Sequence, residues 1–146
     1  MITVSSVANA SQGELLCIVY ELLLRRFNQI MASEGKARKR HIEEAVYIIK
    51  TLVEALNFEI DMAHDLFKLY VYVQGLLLAY DVKNDKVEEA YSIIYKLYKG
   101  FKEAAIKEKN SGPSMKNVQE VYAGMTYNKG QLSEVVVEGV NRGFKA

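Results

Sequence analysis

The chain of 146 residues has one cysteine, one proline, two histidines and a formal net charge of +1. Each scarcity removes a class of fold or function. A lone cysteine, Cys17, excludes an internal disulfide and suits a reducing compartment. With Pro113 the only proline, residues 1–112 contain no strong helix breaker. Charges that nearly cancel give no bulk field to attract nucleic acid or an anionic membrane. The two histidines, His41 and His64, cannot furnish a di-metal bundle, which needs two Glu-x-x-His sets and two further inward carboxylates. Only Asp61-x-x-His64 approaches that pattern, so neither a metal nor a cofactor is expected. A Gly-rich phosphate loop, zinc-ligand spacing and a nucleophile elbow are likewise missing. Cys17 lies inside an apolar run and reads as a small core residue rather than a nucleophile. These absences point away from an enzyme. The apolar run starts late, lacks a basic lead and has no small-residue cleavage site, so a cytoplasmic location is expected.

What is present is helical patterning. Half of the residues are apolar and a quarter are charged, an ordinary balance for one globular domain of this length. Before residue 115 no period-two alternation is bounded by turn residues, so strands are not expected there. Four helical segments follow instead. The first starts at Ser11, with Glu14 completing a capping box, and ends near Ala32. The second, about Arg38 to Phe58, has Ile42, Ala45, Val46, Ile49, Leu52, Val53 and Leu56 at alternating spacings of three and four. The third, about Asp61 to Tyr80, places Met62, Leu66, Leu69, Tyr70, Val73, Leu77 and Tyr80 on one face. The fourth begins near Asp85, read as its cap, and turns Val87, Tyr91, Ile94, Tyr98, Phe101 and Ala105 inward. Segments of this length joined by short connections pack antiparallel, so the expected fold is all-α, an up-down four-helix bundle over residues 1–110. Residues 111–146 hold five of the nine glycines and read as a C-terminal extension that is either flexible or docked on the bundle. The basic cluster Lys36, Arg38, Lys39 and Arg40 reads as a solvated lead into the second helix, because no aromatic platform for bases accompanies it.

The bundle does not consume all the apolar surface. Leu15 to Leu24 is apolar at every position except Glu21, too short to cross a bilayer and too greasy for a single stripe. If Leu16, Val19, Leu23, Phe27 and Ile30 face inward, Leu15, Ile18 and Leu22 line a second face. Phe67, Val71 and Leu78 recur at helical spacing on the third segment, and Tyr47, Ile48 and Tyr95 add to the surplus. Such a surface is expected to form a groove for an amphipathic or extended partner segment. The alternative is a structural or regulatory helical homodimer whose second apolar face is sealed by an identical copy.

The order of short motifs resembles one family. Ser11-x-x-Glu14-Leu15 followed by Val19-Tyr20-Glu21 is similar to the "SPxELxxxLYDG" opening of FliS, the flagellar export chaperone. Leu69-Tyr70-Val71-Tyr72-Val73 resembles its "LYDYI", Lys83 and Asp85 sit at its short third loop, and Leu97 with Phe101-Lys102-Glu103-Ala104 resembles "LRxxWKEA". The resemblance spans residues from about 4 to 108. It implies a cytoplasmic four-helix bundle that binds the C-terminal segment of flagellin, prevents premature polymerisation and presents its client to a component of the flagellar export gate. The chain departs from the pattern at Leu22 in place of glycine, Val71 in place of an acidic residue, Gly75 and Leu76 in place of paired arginines, and Phe101 in place of tryptophan. The changes at Leu22, Val71, Gly75 and Leu76 are expected to make the outer surface greasier.

Overall fold

A computed structural model describes residues 11–110, with side chains to residue 107. The N-terminal segment 1–10 and the extension 111–146 lie outside the described residues. Among the described residues four helices follow one another, α1 (Gln12–Met31), α2 (Gly35–Glu54), α3 (Asp61–Leu77) and α4 (Asn84–Asn110). In the bundle α1 packs along α2 and α4, and α3 closes the ring against the same two helices.

Each boundary has a local cause. Ser11 caps α1, its hydroxyl accepting from the Glu14 amide at 3.2 Å, as the capping-box pattern requires. Between α1 and α2 only three residues intervene, and Gly35 enters α2 at φ +62°, a left-handed conformation that reverses the chain without a Cβ clash. That glycine starts α2 three residues before Arg38. The helix ends at Glu54, so Leu56 packs from the connection rather than from the helix. Likewise α3 stops at Leu77, leaving Leu78 and Tyr80 in the loop that follows. Asp85 lies inside the first turn of α4, where its charge meets the positive end of the helix dipole; it is not the cap.

Leu16, Val19, Leu23, Phe27 and Ile30 of α1 are fully buried, with Ile49 and Leu52 of α2, Tyr70 and Val73 of α3, and Val87 and Ile94 of α4 around them. The hydroxyls of Tyr20 and Tyr70 hydrogen-bond to each other across the centre, so two polar tips share the core. The expected inward face of α3 needs correction at two positions. Leu69 is exposed and Tyr80 is wholly exposed, whereas Ala63 and Leu76 take the buried places beside Leu66, Tyr70, Val73 and Leu77.

The second face expected on α1 is also corrected. Leu15 is fully buried, and Leu22 is 7% exposed. The reason is close packing: α1 lies against its two neighbours along much more of its surface than α3 does against the same two, and buries both flanks as well as its central stripe. Leu15 and Leu22 fall on the flank of Arg26, which is ion-paired with Glu44 of α2 at 2.7 Å. Ile48, one turn beyond Glu44, faces the same seam and is 6% exposed. His41 joins this seam, its Nδ1 3.3 Å from Arg26, and burial together with the Arg26 charge pushes its pKa below the ordinary 6.5. Of the departures at Leu22 and Leu76, both therefore enlarge buried surface and neither greases the exterior.

Within the basic cluster Lys36, Lys39 and Arg40 are exposed, but Arg38 has a defined task. Its guanidinium donates to the Ile30 carbonyl at 2.9 Å, to Asn84 Oδ1 at 2.8 Å and to the Val82 carbonyl. One side chain thus ties the end of α1, the start of α2 and the α3–α4 loop. Charge-assisted bonds to carbonyl oxygens are among the stronger ones. Arg38→Ala should lower unfolding free energy by about 2 kcal/mol in urea titration, with Lys39→Ala as the neutral comparison.

Candidate functional site

Five of the nine residues expected to bind a partner are exposed: Tyr47, Phe67, Val71, Leu78 and Tyr95. Ile18 is half-buried at the outer edge of α1. Leu15, Leu22 and Ile48 belong to the buried interior and contribute to no open surface.

The exposed residues do not form one groove. Phe67 and Val71 stand one turn apart on the outer side of α3 at 38% and 46% exposure, and Leu78, 64% exposed, continues their line past the helix end. Gly75 occupies the intervening turn, and a Cβ there would meet nothing within 4 Å, so the stripe has a shallow gap rather than a hidden contact. At the other end the stripe is extended by Phe58 of the α2–α3 connection, whose ring meets Phe67 edge-on at 5.6 Å. His64 stacks against Phe58 at 5.3 Å and donates from Nε2 to the Phe58 carbonyl at 3.0 Å, which fixes the corner. Leu69 and Tyr72, also exposed, lie around the helix away from this line, and Tyr72 is anchored there by a hydrogen bond to Glu89 of α4.

Tyr95 belongs elsewhere. On α4 the rings of Tyr91, Tyr95 and Tyr98 follow one another at 6.0 and 6.3 Å, with the Lys99 ammonium 5.4 Å from the Tyr95 centroid. Tyr98 donates to Glu21 of α1 at 2.7 Å and accepts from Lys102 at 3.0 Å. Burial, together with the bond to Glu21, raises the Tyr98 pKa above its ordinary value, and the bond to Tyr98 raises that of Lys102. Below this ladder a cleft of about 260 Å³ opens between α1 and α4, with buried Cys17 at its base. Burial, reinforced by Glu21, pushes the Cys17 thiol from its ordinary 9.0 to about 11. The fold therefore holds the thiol proton more tightly than the unfolded chain does. Its contribution to stability is complete below pH 9 and is lost as pH rises towards 11. Urea titrations should show the native chain losing up to about 1.4 kcal/mol per pH unit in that window relative to Cys17→Ala, and parallel curves would show a hydrated thiol.

Sequence reasoning missed Phe58, Leu69, Tyr72, Tyr80 and Ile106 as exposed apolar residues. Phe58 and Tyr80 lie beyond helix ends that the sequence pattern places at these two residues, three or four positions too far along the chain. Among the described residues no three His, Cys, Asp or Glu side chains converge as a metal site, and no helix is long and apolar enough to cross a membrane. The arrangement offers apolar contact area and aromatic edges, the equipment of recognition.

No curated protein and no solved structure matches the chain. A family model described as "Flagellar protein FliS" matches residues 3–109, which takes in every helix and both exposed surfaces. The chain accordingly belongs to the FliS family of flagellar chaperones.

Proposed function

We propose that this protein is a cytoplasmic export chaperone that binds the C-terminal region of flagellin, keeps it from polymerising prematurely and assists its delivery to a component of the flagellar export gate. The observation that carries the reading is α3. A helix of a small bundle needs one apolar stripe, yet α3 buries one through Leu66, Tyr70 and Val73 and presents a second through Phe67 and Val71. Extended by Phe58 and Leu78, that second stripe suits an amphipathic helix laid lengthwise on the bundle. A client that orders only on binding spends part of its contact energy on ordering, which keeps a wide apolar contact releasable.

Titration calorimetry of the full chain with flagellin's C-terminal segment tests the proposal. Saturable binding at micromolar concentrations or tighter, with a negative heat-capacity change, is expected. No binding in that range, accompanied by a strong dimer in light scattering, would overturn it in favour of a homodimer sealed through α3.

A further inference from the structure

The cleft between α1 and α4 is distant in purpose from the α3 stripe, since α1 and α3 lie diagonally across the bundle. Its base is formed by Cys17 and Ala105, both buried, and its sides by Ile18 and Ile106. Ile106 is 51% exposed, an uncommon condition for an isoleucine facing a neighbouring helix. We propose that this cleft receives the chain's own C-terminal segment, seated through Val118, Val121, Tyr122 and Met125.

Two observations favour that occupant. The first is reach. Ile106 lies one helical turn, about 6 Å, before the end of α4 at Asn110. The sequence then runs Ser-Gly-Pro, and Pro113 cannot continue the helix but is suited to start another. Four residues, 111–114, can span about 13 Å and return the chain to the cleft. The second is pattern. Val118, Val121, Tyr122 and Met125 are spaced by three, one and three, one face of a short helix. A helix over 115–125 would be about 16 Å long, close to the 12 Å or so separating Tyr98 from Ile106 along α4. The segment also lies beyond the family match, which stops at residue 109.

Methyl NMR on the full chain tests the assignment without flagellin, so its outcome is separate from that of client binding. In a Val118→Asp/Val121→Asp variant the Ile18 and Ile106 methyl resonances should move, while those of core Leu23 and Leu52 stay fixed as evidence of an intact fold. The shifts should be independent of protein concentration. Unmoved Ile18 and Ile106 methyls would overturn the proposal. Shifts that follow concentration would overturn it in favour of a second copy. Shifts produced instead by Ile2→Asp/Val4→Asp would overturn it in favour of the N-terminal segment.

Discussion

Phe67→Asp should weaken binding of flagellin's C-terminal segment by tenfold to a hundredfold in calorimetry, while the domain still folds with a lowered urea midpoint. The two effects separate because of where Phe67 stands. Its ring is partly open to water and makes one defined contact within the protein, edge-on to Phe58. An aromatic pair of this kind contributes about 1 kcal/mol, and the buried part of the ring about 1–2 kcal/mol more, a loss short of a domain's stability of about 5–15 kcal/mol. Burying the exposed 38% of the residue beneath a client is worth about 0.6–1.1 kcal/mol, or roughly three- to sixfold in affinity. A carboxylate at the same place forfeits that gain and adds the cost of desolvating a charge. Val71→Asp should behave similarly, lying one turn further along the same line. Unchanged affinity in both variants would remove the α3 stripe from the interface.

Leu15→Asp should do the opposite and prevent folding at neutral pH. Leu15 is completely enclosed in the seam between α1 and α2. Truncating such a leucine to alanine costs about 2–5 kcal/mol, and leaving a carboxylate there costs more. Against a domain stability of about 5–15 kcal/mol the loss is decisive. Leu15→Ala keeps the experiment informative: it should fold with a lowered midpoint and bind the flagellin segment as the native chain does. A native-like midpoint in either variant would mean that Leu15 is open to water, contrary to the seam described by Arg26, Glu44 and Ile48.

The contrast between these two residues shows what was legible in the sequence. The four helices, their order, the Ser11 cap and the inward stripes of α1 and α4 follow from spacing, because period and capping are local properties. The spare face of α3 was equally visible, since Phe67 and Val71 remain outside whichever way the helix is rotated to bury Leu66, Tyr70 and Val73. The apolar run at Leu15–Leu24 misled because a helical wheel cannot tell how closely the neighbours of a helix pack against it. With α2 on one side and α4 on the other, α1 buries Leu15 and Leu22 on one flank and Cys17 on the other. Arg38 was hidden for the same reason. Nothing in a run of basic residues distinguishes the one whose reach meets Ile30, Val82 and Asn84, elements brought together only by the fold.

The most direct measurement is methyl NMR of the native chain titrated with flagellin's C-terminal segment. The methyls of Val71 and Leu78 should shift strongly and saturate with the binding isotherm, while the buried methyls of Leu15, Leu22 and Leu23 move little. Saturating segment that leaves Val71 and Leu78 unperturbed would contradict the assignment of α3 as the flagellin-binding surface.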